Sequence, residues 1–504
     1  MDEPTYDITI ERVNASFIKL YVEDKGIRQD ISDFFTYQEP GHVKSRFNKW
    51  DGIVRLFKLR TGYLPYGCLQ MLLVQAKERG WKIDLDTRFS IDITKVTREE
   101  LKTWITTLDI RSEGHQIEPY DYQIEALYLS IKFNRMVLLA ATSAGKSLIA
   151  YMLVRYYEMI MESDDEKTLI VVPSQMLVDQ MFNDFKDYSS HNGWNVEKNC
   201  HTIMQDRPKT SRKPIYISTW QSIHKEAPDY FLDFTSIISD ECHLASGKSI
   251  SSIMDCSVNA HRRIGMTGTL KSDKLHPILV SSLFGPVQRV VTTRQLIDTG
   301  RATSVDVTAM MLSYDPSERK KVAGSTYKDE IQFLIEHPHR NKMVASLIAS
   351  LRGNTLVVFD RIEHIEAVKE ILDSMTHGKQ VFVITGDVKR DERELIKLIA
   401  TKEDGITVLG TFGCVSTGLS IKRLRNLVLP HPSKSVVRVL QSLGRILRLH
   451  DDKDAAFVFD FMDDLSYEGE SNHTLRHAFI RVDMYKNDQL PLSFKKLTMK
   501  PTVS

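Results

Sequence analysis

Missing from the sequence is any excess of charge: 67 lysines and arginines stand against 66 aspartates and glutamates in 504 residues, a formal net charge of +1. A total of that kind points to no nucleic-acid partner by itself, but it can conceal a basic stripe balanced by acids elsewhere. Cysteine is scarce, and the five present (Cys68, Cys200, Cys242, Cys256 and Cys414) are far apart with no C-x-x-C pair. That spacing excludes a disulfide framework and a cysteine zinc site, and it points to a reducing compartment. No apolar run reaches 18 residues, and the amino terminus, MDEPTYDITIERVNASF, is acidic and mixed rather than basic then apolar. The expectation is a cytoplasmic protein, neither secreted nor membrane-spanning. Low-complexity segments and short-period repeats are absent too. With 42% hydrophobic and 26% charged residues, the composition is that of ordinary folded domains, and the length suggests three or four.

Residues 1–95 are expected to form a small α+β domain. Tyr6–Val13 alternates like a half-buried strand, and 68–83 carries Leu69, Leu72, Leu73 and Ala76 at helical spacing. Between Gly41 and Gln70 lie Lys44, Arg46, Lys49, Arg55, Lys58 and Arg60 against Asp51 alone, a net +5 in thirty residues. Phe47, Trp50, Phe57, Tyr63 and Tyr66 are interleaved. Cations that neutralise phosphate and rings that stack on bases suit nucleic acid, so Lys44, Arg46, Lys49, Trp50 and Arg55 are candidate DNA contacts. The competing reading makes the rings the core of a hairpin domain and the charges its solvated face.

A helical linker is expected over 96–114. Beyond it, short β-branched runs precede helices at Met136–Ala141, Thr168–Val172, Pro214–Ser218, Ser236–Ser239 and Arg262–Met266. After a polar stretch around Tyr314–Arg340 the rhythm returns at Thr355–Phe359, Gln380–Thr385, Gly405–Gly410, Arg425–Pro430 and Ala455–Phe461. Such runs predict two parallel-sheet α/β domains in tandem, over 115–300 and 301–465, followed by a helix and tail over 466–504. The tail, with Lys495, Lys496 and Lys500, reads as an exposed arm or docking segment. His473 and His477, one turn apart, lack a third ligand nearby and read as surface histidines.

Ala140-Ala-Thr-Ser-Ala-Gly145-Lys146-Ser147 stands between two apolar runs. A triphosphate-binding loop needs consecutive N–H groups at a helix amino terminus, a lysine for the β- and γ-phosphates and a hydroxyl for Mg²⁺. Thr142, Ser143, Ala144, Gly145, Lys146 and Ser147 fill that pattern, although Ala140 occupies the first glycine position. Asp240-Glu241 ends the apolar run Ser236–Ser239. Asp240 is expected to share Mg²⁺ with Ser147, and Glu241 to act as general base for the attacking water.

Taken together, the motifs resemble superfamily 2 helicases and translocases over residues 115–450. The matching stretches are Ala141–Ser147 (motif I), Leu169–Ser174 (Ia), Ile217–Gln221 (Ic), Asp240-Glu-Cys-His243 (II) and Gly265-Met-Thr-Gly-Thr269 (III). They continue with Val357–Asp360 (near IV), Gly410–Gly418 (V) and Gln441–Arg448 (VI). The resemblance implies two RecA-like domains closing on ATP and Mg²⁺. It places Gln123 on the adenine edge and Gly418 at the nucleotide, and makes Gln441, Arg445 and Arg448 catalytic. The two arginines, at i and i+3 of an expected helix, would stabilise charge on the γ-phosphoryl group. His243, Thr267 and Thr269 would relay the nucleotide state. Pro173, Ser174, Thr219, Gln221, Thr385 and Thr411 would touch the DNA backbone without reading sequence.

D-E-C-H and T-G-T stand where RNA helicases usually carry D-E-A-D and S-A-T, which leans toward DNA translocases. Asp240–Ile253 and Trp50-Asp-Gly52 are similar to phage recombination and repair helicases. That resemblance implies unwinding and branch migration of junctions, stalled forks and RNA–DNA loops. The implied partners are single-stranded and branched DNA, with RNA–DNA hybrids and single-strand-binding or recombination proteins as further candidates, and no membrane. Two alternatives are an RNA-dependent ATPase and a non-catalytic scaffold with an ATP switch.

Overall fold

A computed structural model describes residues 6–39, 50–92, 94–204, 208–246, 248–270, 275–376, 378–416, 421, 423–433, 435–450 and 452–501. The chain divides into two compact units, 1–140 with 145–290, and 291–504 with 141–144. Among the described residues no helix is long and apolar enough to cross a membrane.

The first unit opens with a four-stranded sheet in the order Tyr63–Pro65, Phe17–Tyr21, Ile8–Arg12, Ile83–Leu85. Strand alternation puts Ile8, Ile10, Ile18, Leu20 and Leu64 on one face, where they are buried with Ile31 and Leu72 from two helices, Lys25–Phe34 and Leu69–Arg79. The second helix stops short of the expected 83. Gly80, at φ 73°, closes it in the left-handed conformation and Trp81 N–H turns back to the Ala76 carbonyl, so the chain re-enters the sheet as Ile83–Leu85.

Next comes a seven-stranded sheet in the order Cys200–Ile203, Ile215–Thr219, Lys167–Val172, Phe234–Asp240, Arg262–Thr267, Arg135–Ala140, Val287–Val291. Its first six strands run parallel, and nearly every residue of the central ones is buried. Burial on both faces is why they appear as unbroken apolar runs. The expected linker is no spacer: its helix Arg98–Thr106 packs Leu101 and Ile105, with Leu108 beyond it, into the same core as Ala126 and Leu127.

The second unit repeats the plan. Its seven strands are Gln380–Ile384, Ile406–Thr411, Asn354–Phe359, Leu424–Leu429, Ala455–Asp464, Ser304–Ser313 and Leu492–Thr498, all parallel to their neighbours. The polar stretch at 314–340 consists of helices Pro316–Val322 and Tyr327–Glu336 and the start of Pro338–Ser350, held in place by buried Ile331, Leu334 and Val344. The tail is no free arm. Helix His473–Asn487 sends fully buried Arg481 to Asp460 at 2.8 Å, and Leu492–Thr498 forms the sheet edge beside Ser304–Ser313. His473 accepts from the Arg476 guanidinium, and the His477 ring packs edge-on against Tyr327, 4.8 Å between centroids.

Candidate active site and nucleic-acid face

Strand Arg135–Ala140 delivers the loop 141–145, from which helix Lys146–Met159 starts. Ser143 (φ 70°) and Gly145 (φ 73°) are both left-handed, a geometry that turns successive N–H groups toward one point ahead of the helix. A Cβ on Gly145 would sit 2.4 Å from Gln123 Nε2, so the loop and the glutamine are mutually fitted. Gln123 is buried, and its Oε1 accepts from Tyr120 N–H at 2.8 Å. Its amide therefore also caps its own helix while Nε2 faces the loop. Ala144 is 1% exposed, which leaves its backbone as what it can offer a ligand.

The carboxylates end strand Phe234–Asp240, beside the loop strand's neighbour Arg262–Thr267. Lys146 Nζ is 3.9 Å from Glu241 Oε1, with both side chains largely buried. His243 Nδ1 approaches Glu241 Oε2 at 3.2 Å and Thr267 Oγ1 at 2.9 Å. Thr267 Oγ1 donates to the Thr269 carbonyl at 2.8 Å. The three residues expected to relay thus form one hydrogen-bonded group around Glu241. Burial raises Glu241, but the Lys146 ammonium and the His243 contact outweigh it and hold the carboxyl down to about 2. Asp240 moves the other way: burial first, then the adjacent Glu241 charge, pushes it up to about 6. Two neighbouring carboxylates therefore differ in proton affinity, with Glu241 the one held ionised by Lys146 and His243. Glu241 is also left-handed at φ 49°, an uncommon conformation for a residue with a side chain.

Ser147 Oγ lies 3.0 Å from the Tyr188 hydroxyl, a partner that nothing in the sequence singles out. Tyr188 reaches it from the end of helix Gln175–Tyr188.

Phosphate-contact candidates gather at the carboxyl ends of strands in both units, where open α/β sheets bind ligands. In the first unit, Ser174 accepts from Leu177 N–H and caps its helix, and Thr219 caps Trp220–Ile223 the same way. Gln221 Nε2 donates to the Pro173 carbonyl at 3.4 Å. The two hydroxyls are thus engaged by helix amino termini in place of standing open to solvent. In the second unit, Thr385 follows Gln380–Ile384 and Thr411 closes Ile406–Thr411.

The basic segment divides. Lys44, Arg46 and Lys49 lie outside the described residues, as does Gly418. Phe57 and Tyr66 are core residues, 3% and 6% exposed, whereas Trp50 is 43% exposed. Arg55 is paired with Asp51 at 2.8 Å, so the one acid of the stretch is spent on it and the cation is already engaged.

Motif VI departs from expectation in one respect. The helix Val436–Ile446 carries Arg445 but ends before Arg448. Lys453 Nζ donates to the Ile446 carbonyl at 2.8 Å and to Leu424 O at 3.2 Å. Thr303 takes the next two carbonyls, with N–H to Leu447 O at 2.9 Å and Oγ1 to Arg448 O at 3.0 Å. These contacts draw the chain off the helical path, so the two arginines do not share one helix face. Gln441 is in the helix, with its side chain outside the described set.

Comparison with known proteins agrees with this layout. Residues 116–272 match the family described as the res subunit of type III restriction enzymes, and 339–450 match the helicase conserved C-terminal domain. The ATP-dependent DNA helicase UvsW of enterobacteria phage T4 is 30% identical over 98% of this chain and 100% of its own length. A subunit of the type I restriction enzyme EcoAI endonuclease of Escherichia coli is 24% identical over 71% of the chain and 47% of its own. The crystal structure of T4 UvsW superposes with a TM-score of 0.51 at 28% identity, covering 98% of this chain and 99% of that one. The chain belongs to the UvsW family of superfamily 2 helicases.

Proposed function

We propose that this chain is an ATP-dependent DNA helicase and translocase that unwinds and branch-migrates junctions, stalled forks and RNA–DNA loops in recombination, repair and replication. One observation carries the reading: the Lys146, Glu241, His243 and Thr267 side chains form one contiguous buried group beneath a left-handed phosphate loop. A T4 relative aligned along its full length and named an ATP-dependent DNA helicase supports it.

The residues fit a triphosphate with its Mg²⁺. Loop N–H groups and the Lys146 ammonium match phosphate oxygens, and Ser147 with Asp240 would hold the cation, which supplies charge neutralisation at the phosphates. Glu241, kept ionised by Lys146 and His243, accepts a proton from water. Arg445 and Arg448 are the proposed arginines for the transferred phosphoryl group. The basic segment at Lys44, Arg46, Lys49, Trp50 and Arg55 is the proposed static grip on DNA, and Ser174, Thr219, Gln221, Thr385 and Thr411 the stepping contacts.

The test compares ATPase stimulation of the purified chain by single-stranded DNA, duplex, a four-way junction and RNA, with Lys146→Ala as control. The expected result is strongest stimulation by single-stranded or branched DNA and none in the variant. Stronger stimulation by RNA would replace the reading with an RNA-dependent ATPase. No stimulation, or full activity in Lys146→Ala, would leave a binding scaffold.

A further inference from the structure

The amino-terminal domain and the motif II segment share one largely buried helix, Leu275–Phe284. On one side it meets the amino-terminal domain at Gly67, where a Cβ would lie 2.1 Å from the Ser281 carbonyl oxygen and 2.6 Å from that of Ser282. Only glycine permits that approach. Two buried arginines pin the joint. Arg135 donates to Ala15 O at 2.7 Å and to Leu283 O, the end of the same helix, at 3.3 Å, with its guanidinium 4.4 Å from the Tyr66 ring centroid. Arg263, from the motif III strand, donates to Ser16 Oγ at 2.7 Å, and Ser16 Oγ donates in turn to Met254 O at 2.9 Å.

At its other end the helix touches motif II. His276, 3% exposed, lies with Nε2 2.5 Å from the His243 carbonyl. A carbonyl only accepts, so Nε2 carries the proton and the imidazole acts as a donor. The His243 ring on that same backbone holds Glu241 and Thr267. The helix also leans on motif III: a Cβ on Gly265 would stand 3.1 Å from Phe284 and 2.8 Å from Cys242 Sγ. Nothing else in the mechanism needs His276.

We propose that His276 is a positioning residue for motif II, and that helix Leu275–Phe284 conveys engagement of DNA by the amino-terminal domain to the carboxylate group through it. A rigid helix seated on the amino-terminal domain at Gly67 moves as a body, and a shift along its axis displaces the His243 backbone. The imidazole of His243, and with it Glu241, follows. This rests on the helicase reading above, because it concerns how DNA binding accelerates that reaction.

The experiment uses the full-length protein as wild type, His276→Leu, His276→Gln, Gly67→Ala and the His276→Leu/Gly67→Ala double variant. Turnover and KM for ATP are measured with and without a saturating four-way junction, beside melting temperatures. His276→Leu is expected to lower junction-stimulated turnover on the order of tenfold with KM for ATP unchanged, a typical coupling magnitude. His276→Gln, whose amide can still donate, restores most of it. Gly67→Ala produces a similar loss, and the double variant loses no more than the worse single one. Wild-type stimulation in His276→Leu overturns the proposal, as does failure of His276→Gln to restore turnover. So does a His276→Leu protein that loses ATP affinity, basal turnover and melting temperature together, which would mark an ordinary core residue. A wild-type protein that no nucleic acid stimulates would instead sink the helicase reading itself.

Discussion

Replacing Asp463 by Asn isolates a fully buried charge pair in the second unit. Asp463 ends strand Ala455–Asp464 at 0% side-chain exposure, and Arg340 of helix Pro338–Ser350, also at 0%, donates Nε to Oδ1 at 2.8 Å and Nη2 to Oδ2 at 2.9 Å. Tyr314 donates its hydroxyl to Oδ1 at 2.6 Å, and Arg340 Nη2 also reaches the Pro430 carbonyl at 2.5 Å. The asparagine keeps the shape and removes the charge, so a fully buried guanidinium is left without a counter-ion. Breaking a buried pair from one side costs about 3–5 kcal/mol, of the order of an ordinary domain's whole stability. Arg340→Met combined with Asp463→Leu removes both charges and leaves the Tyr314 hydroxyl, the Pro430 carbonyl and the His364 imidazole short of partners, at about 1–3 kcal/mol each. Because no unpaired buried charge remains, the double variant should lose clearly less than the sum of the two singles. Urea unfolding followed by circular dichroism gives both numbers. An Asp463→Asn loss below about 1 kcal/mol, or a double variant that loses the sum of the two singles, would refute the reasoning.

Arg448→Ala should cut turnover while sparing ATP binding, since a transition-state arginine acts little in the ground state; equal losses of nucleotide affinity and rate would remove it from that role. Acid should weaken the second unit earlier than carboxylate titration alone. Burial, aided by Arg340 and Arg481 and opposed by Asp360, pushes His431 down to about 4, and burial holds His364 well below its usual value. An unfolded histidine takes up its proton near pH 6.5, so this stability is complete above that pH. It is lost progressively down to about 4, and for His431 amounts to about 3 kcal/mol. A urea midpoint that stays constant from pH 7.5 to 5 would contradict this.

All ten strands expected in the two α/β domains form, nine within two residues of their expected bounds and Ala455–Asp464 three residues past its expected end; all but the edge strand Gln380–Ile384 are interior strands of a parallel sheet, apolar on both faces. The four that escaped reading are edge strands or polar on one face. Val287–Val291 is mostly exposed, Leu492–Thr498 carries Lys495 and Lys496 outward, and Ser304–Ser313 alternates exposed Ser304 and Asp306 with buried Val305 and Val307. The grouping of Lys146, Glu241 and His243 was legible where a motif fixes their spacing. Their supports were not. Tyr188 on Ser147, His276 on His243, and Thr303 with Lys453 on motif VI are tertiary contacts between residues 33 to 145 positions apart, or within an irregular turn, with no periodicity to announce them. The shared helix face for Arg445 and Arg448 failed for that reason: i, i+3 spacing is only as good as the helix beneath it.

The near-cancellation of 67 cations by 66 anions says little about what this protein holds, because it does not tell the few charges buried in the interior from those at the surface. Arg340 and Arg481 neutralise Asp463 and Asp460 inside the second unit, fully buried. Arg135 and Arg263 are buried too, but serve main-chain carbonyls and a serine hydroxyl at the joint between the amino-terminal domain and the first sheet. Arginine suits that place because its planar fork meets several acceptors while its stem packs as apolar surface. Such a joint sets the amino-terminal domain directly against the sheet that carries motifs I to III. Helix Leu275–Phe284 lies against both. The net charge of the chain is blind to this division between cations stitched into the interior and cations left at the surface.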